Sequence, residues 1–128
     1  MNVGKARGLV YARSAGFTNL PRRCEIQLFG VCTGQPVHWH HRLRDGQGGL
    51  WTPSNGLDLC AACHEAITNT RGNRALYLRR GWIIDSHDER PPAKVQTLIH
   101  TVSMGHAWVW LDDTGAFSPA PEPEDEAA

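Results

Sequence analysis

The sequence predicts an α+β domain: an N-terminal helix, a strand–strand–helix finger held by cysteines, and a C-terminal β-hairpin. Three observations predict it. Four cysteines fall as two pairs, Cys24 with Cys32 and Cys60 with Cys63. Between the pairs lie two short runs of strand-like composition split by a glycine-rich loop, and a helical stretch opens on the second pair. Near the C-terminus, two alternating runs flank Met104-Gly105. A chain of 128 residues has room for one core, so residues 1–117 are read as a single domain with the finger at 22–70.

Taken in order, residues 3–15 set Val3, Ala6, Leu9 and Val10 on one helical face, with Gly16 as the stop. Residues 17–23, which include Pro21, connect this helix to a turn at 24–34 bearing the first cysteine pair. The run 37–43 is partly β-branched and aromatic and reads as a strand. Residues 44–55 carry three glycines and a proline and read as a loop, followed by a second strand at 57–59. A helix then runs from the Cys60–Cys63 turn to about Thr68 and breaks at Arg71-Gly72. Asn73 is a suitable N-cap for a further helix through Arg80, stopped by Gly81. Residues 82–85 read as a strand, 88–92 as a turn, and 95–102 with 107–111 as the hairpin. From Ser118 onward Pro, Ala, Glu and Asp dominate, so 118–128 are expected to form an acidic tail without fixed structure.

The formal net charge is zero, but its distribution is uneven. All thirteen Lys and Arg lie between Lys5 and Lys94, with only seven of the thirteen acids, which leaves residues 1–111 at +6. A basic body with an acidic end suits a polyanionic partner, although a solvated surface with a loose tail would give the same count. No stretch approaches the roughly 18 apolar residues of a membrane span, and Met1-Asn2-Val3-Gly4 opens no apolar signal core. The expectation is a protein of the cytoplasm with no membrane partner.

Without an export signal, thiols are better suited to a metal than to disulfides. Two cysteine pairs about thirty residues apart can give four thiolates to one tetrahedral structural Zn²⁺. Cys60-Ala-Ala-Cys63 has the compact spacing that such sites use. Seven residues separate Cys24 from Cys32, which is looser, so disulfides and unpaired thiols stay open as alternatives.

The chemistry-bearing set is His40, His41, Asn55 and His64. A clamp joining Cys24 and Cys32 to Cys60 and Cys63 would hold both ends of the finger. It would bring the helical His64 beside the end of the first strand, where a strand histidine and a helix histidine can share a second, catalytic metal with open positions.

Here the run Cys24…Cys32, His40-His41-Arg42, Gly48-Gly49, Asn55, Leu59-Cys60-Ala61-Ala62-Cys63-His64 resembles the HNH, or ββα-metal, endonuclease family. The resemblance implies a treble-clef-like, zinc-stapled ββα-metal finger that hydrolyses phosphodiester bonds of nucleic acid, double-stranded DNA above all. It implies His40 and His64 as ligands of a catalytic Mg²⁺ or Mn²⁺, and His41 as general base. Asn55 is implied to hold the His41 imidazole or, as in some relatives, to approach the metal. The flanks Arg79-Arg80-Gly81-Trp82 and Leu111-Asp112-Asp113-Thr114-Gly115 are similar to small HNH proteins of actinobacterial phages. That narrower likeness implies a host-cytoplasmic role in genome processing, beside the phage terminase, or as a mobile or host-directed nuclease.

Many relatives carry a third metal-binding histidine where this chain has Thr68. Two protein ligands suit Mg²⁺ or Mn²⁺. His38, on the same strand face as His40, can replace the missing ligand, and Asn69 is a weaker substitute. Arg42 and Arg44 follow the histidine strand and are read as phosphate contacts, with 71–80 as the alternative track. The plainer readings are an exposed histidine pair, His64 as a zinc ligand beside three cysteines, Asn55 as a turn residue of Ser54-Asn55-Gly56, and Trp39 and Trp51 as core. A module that binds nucleic acid or protein without cutting is the competing function.

Overall fold

Helix α1, Val3–Ser14, starts at Asn2, whose side chain accepts a hydrogen bond from the Lys5 N–H at 2.7 Å. The computed structural model to which it belongs describes residues 1–44, 46, 48–69 and 72–124. The buried face of α1 is Ala6, Val10, Arg13 and Ser14, so Val3, read as part of the apolar face, is exposed instead. Gly16 ends the helix with φ of +67°, and a Cβ there would lie 2.5 Å from Val102, so glycine is required on both counts.

The burial of Arg13 has a clear cause. Its guanidinium donates twice to the Glu25 carboxylate, at 2.8 and 2.9 Å, and to the carbonyls of Pro53 and Gly56. Glu25 in turn accepts from the Asp58 N–H at 2.9 Å, while the Asp58 carboxylate accepts from Ser14 and twice from Arg22. This network ties α1 to the cysteine-bearing turn and to the finger, and every charge in it has a partner.

Strands β1, His38–His41, and β2, Gly56–Leu59, form an antiparallel pair in which His38 faces Leu59 and His40 faces Leu57. A short 3₁₀ turn, Pro53–Asn55, leads into β2. Helix α2, Ala61–Thr68, follows directly, with Cys60 as its cap and Cys63 and Ile67 as its buried residues. The strand–strand–helix order read from the sequence is therefore present.

Helix α3, Arg74–Arg79, starts after Asn73, but the Asn73 side chain makes no capping hydrogen bond. Gly81 does stop it. Residues 82–85, expected as a strand, are irregular. Their polar groups bond to several different elements rather than to one neighbour: Ile84 N–H donates to Arg42 O, and Trp82 Nε1 to Leu98 O.

The predicted hairpin is formed by β3, Thr97–Thr101, and β4, Gly105–Leu111, in register Thr97 with Val109 through Thr101 with Gly105. A third strand, β5, Phe117–Pro119, pairs with β4, so the acidic tail begins inside a sheet rather than as loose chain. Arg79 then donates to Pro123 O at 2.9 Å and lies 3.5 Å from Glu122. Arg71 and residues 125–128 of the expected tail lie outside the described residues.

One apolar core joins the parts. Cys24, Ile26, Leu57, Leu59, Cys63 and Ile67 from the finger pack with Tyr77, Trp82, Ile99, Val109 and Leu111 from the C-terminal half. Among the described residues the fold is a small mixed α+β domain with two antiparallel sheets. Among the described residues, no helix is long and apolar enough to cross a membrane.

Candidate functional site

The four cysteines meet. All are free thiols, and their Sγ atoms lie within 4.8 Å of one another, a set that can hold a structural metal such as zinc. The disulfide alternative is not what the structure shows, and His64 is not part of the cluster. Backbone N–H groups point at the sulfurs, as they do around thiolates: Cys63 N–H and Thr33 N–H donate to Cys60 Sγ, and Gly34 N–H to Cys32 Sγ. Burial raises the Cys60 thiol, but the N–H donors from Thr33 and Cys63 outweigh it and bring it down to about 6. Burial and the neighbouring Cys24 push Cys32 up to about 11, and burial raises Cys63 as well.

A cleft of about 370 Å³ opens between β1, α2 and the 82–85 segment, and His40, His41, Arg44, His64, Thr68 and Arg74 line it. His40 is buried, and its ring centroid is 5.4 Å from that of His64. Its Nε2 lies 2.7 Å from the Trp82 carbonyl oxygen. A carbonyl only accepts, so Nε2 carries the proton and Nδ1 keeps the lone pair. Burial lowers the His40 pKa to about 3, with the charges of His64, Arg42 and His41 acting in the same direction. Burial and the nearby His38 also lower His64. Both imidazoles are thus held neutral, the form that ligates metal.

His41 lines the same cleft but packs its ring against two indoles. Its ring meets Trp51 edge-on at 4.4 Å and lies 6.1 Å from Trp39, and the two indoles are 5.2 Å apart. Gly56, opposite His41, leaves room for this group, since a Cβ there would fall 2.2 Å from the Trp39 ring. The Arg7 guanidinium sits 5.1 Å over Trp51. Arg7 and the partnership of Trp51 with His41 have no sequence signal, because Arg7 lies in a different element and Trp51 in a loop.

Two assignments need correction. Asn55 is wholly buried, and its amide bonds to backbone rather than to an imidazole: Oδ1 accepts from Leu43 N–H at 2.8 Å, and Nδ2 donates to Leu43 O and Leu50 O at 3.0 Å each. It closes the loop that follows the histidine strand. Arg42 is also buried, and its guanidinium donates to Gly81 O, Ser54 O, Pro92 O and Val95 O at 2.6–3.0 Å. Strand alternation accounts for this: His41 faces the cleft mouth while Arg42 turns inward with His40's side of the fold. Arg42 is therefore a structural cation, unsuited to phosphate. Arg44 is exposed at the cleft and remains suited to it. Of the alternative track, Arg74 pairs with Asp85 at 2.8 Å, Arg79 with the tail, and Arg80 lies over Trp82.

Comparison with protein-family models, with curated proteins and with solved structures returns no match for this chain. The functional reading therefore rests on the residues and their geometry.

Proposed function

We propose that the protein is a zinc-stapled ββα-metal endonuclease of the HNH type, cutting phosphodiester bonds of double-stranded DNA. One observation carries the reading. A four-cysteine clamp fixes a strand–strand–helix unit on which His40 and His64 face each other across a cleft whose next strand residue is His41. A dedicated binding module has no need of a buried strand histidine and a half-buried helix histidine, both held neutral, converging beside a further histidine.

The donor set fits a divalent cation, since His40 offers Nδ1 with its tautomer fixed by Trp82 O, and His64 offers a second neutral imidazole. When bound, Mg²⁺ or Mn²⁺ supplies positive charge to the scissile phosphate and the departing oxygen. His41 takes the proton from the attacking water, the role for which a neutral imidazole is suited. Trp51 sets the plane of the His41 ring by its edge contact. Asn55 keeps the loop after β1 closed, so His41 and Arg44 hold their places at the cleft rim. Arg44 and Arg7, both exposed on this side, draw the DNA backbone in. The phage setting and the terminase as neighbour belong to the same reading.

The test is cleavage of supercoiled plasmid with Mg²⁺ or Mn²⁺ by the wild type and by His41→Ala. The wild type should cut, and the variant should lose at least about 10²-fold while still binding DNA and metal. Equal rates would remove His41 as the base. DNA binding without cleavage under either metal would leave the binding-module reading in its place.

A further inference from the structure

His64 touches two histidines, not one. Its ring lies 5.4 Å from His40 and 5.0 Å from His38, with interplanar angles of 67° and 37°. The hairpin register produces this arrangement. His38 and His40 share one face of β1, and His38 pairs with Leu59, the residue before the cysteine that caps α2. The first turn of α2, in which His64 N–H donates to Cys60 O, is therefore laid across that face.

We propose that His38 is a third imidazole ligand of the divalent cation at His40 and His64, making the site a three-histidine centre that prefers Mn²⁺ or a later transition-metal ion to Mg²⁺. The inference rests on the metal site of the proposed nuclease and specifies its ligands. A metal–imidazole bond of about 2.1 Å puts each ring centroid about 3.2 Å from the ion, so two rings subtending about 90–115° lie about 4.5–5.4 Å apart. Both observed separations fall within that span. Among the described residues, only the four cysteines already bring three or more ligand atoms within 4.8 Å of one another. His38 is exposed, so its ring can turn toward the other two without breaking core packing. His40 is held in place by its bond to the Trp82 carbonyl. Nitrogen donors in this number disfavour Mg²⁺, which keeps oxygen ligands and water.

The experiment is calorimetric titration of the zinc-loaded full chain with Mn²⁺ and, separately, Mg²⁺, for wild type, His38→Ala, His38→Asn and His64→Ala, with folding checked by circular dichroism. Mn²⁺ should bind the wild type more tightly than Mg²⁺ does. Each His38 variant should lose at least about tenfold in Mn²⁺ affinity and much less for Mg²⁺. If the His38 variants bind Mn²⁺ like the wild type while His64→Ala does not, the third ligand is overturned and the two-histidine site stands. If none of the variants changes Mn²⁺ affinity, both the third ligand and the site on which it rests are overturned.

Discussion

Replacing Arg42 with Met should destabilise the whole domain without any direct effect on a phosphate track. The guanidinium holds four carbonyls, of Ser54, Gly81, Pro92 and Val95, and the bonds to Ser54, Gly81 and Val95 are buried. Methionine fills most of the volume but donates nothing. Three buried carbonyls left without donors cost about 1–2 kcal/mol each, taking the lower part of the usual range because the variant no longer buries a charge. The sum is about 3–6 kcal/mol, against a total stability of about 5–15 kcal/mol for a domain of this kind. In a chain of this size that corresponds to a fall in Tm of at least about 10 °C. Thermal melts followed by circular dichroism would measure it. Arg44→Ala, the exposed neighbour, should melt within about 2 °C of the wild type and instead flatten the salt dependence of DNA binding. An Arg42→Met protein that melts with the wild type but shows a flattened salt slope would refute the buried role and return Arg42 to the phosphate.

Removing metal with a zinc chelator should release one Zn²⁺ per chain and collapse the finger, seen as loss of near-ultraviolet ellipticity from Trp39 and Trp51; retention of the native signal after complete removal would count against the staple. Arg13→Met should lower stability by about 3–5 kcal/mol by stranding Glu25, and Arg13→Met with Glu25→Gln together should lose less than those two single changes added, which a double-mutant cycle would show. His40 gives a pH signature. Its folded pKa of about 3 lies below the ordinary 6.5, so the unfolded chain takes the proton first as pH falls. Its contribution is therefore present above about pH 6.5 and is lost between there and pH 3, by up to about 1.4 kcal/mol per pH unit. Chemical denaturation of the wild type and His40→Asn over that window should show the steeper fall in the wild type, and parallel curves would argue against the assignment.

What could be read in advance was whatever is local. The Cys60–Cys63 spacing, the glycine stops at 16 and 81, and the alternation on either side of Met104-Gly105 each settle a feature within a few residues, and the structure has those features. What could not be read depends on distant partners. Nothing near Arg42 marks it as buried, because its carbonyls come from residues 12 to 53 positions away. Asn55 sits at a suitable spacing from the histidines, yet its three hydrogen bonds fasten a loop. The strand expected at 82–85 has suitable residues but no continuous partner edge, and composition alone suggested a loose tail where β4 offers an edge to Phe117–Pro119. Arg13 and Glu25, twelve positions apart, form the buried pair that no helical pattern would connect.

The carbonyl of Trp82 that fixes the His40 tautomer lies beyond the strand–strand–helix unit, as do three of the four carbonyls that hold Arg42. The backbone N–H of Ile84 reaches back to Arg42 O, and His100 N–H to Glu25 O. Residues 22–70 are therefore not a portable cassette. Excised or grafted onto another scaffold, they would keep their cysteines and histidines but lose the buttress that sets the orientation of His40 and keeps Arg42 dry. A circular permutant opened in the 102–104 turn would retain every one of these supports, whereas a truncation after Thr68 would sever them. The motif marks where the histidines sit, and the unit that holds them in place extends well beyond it.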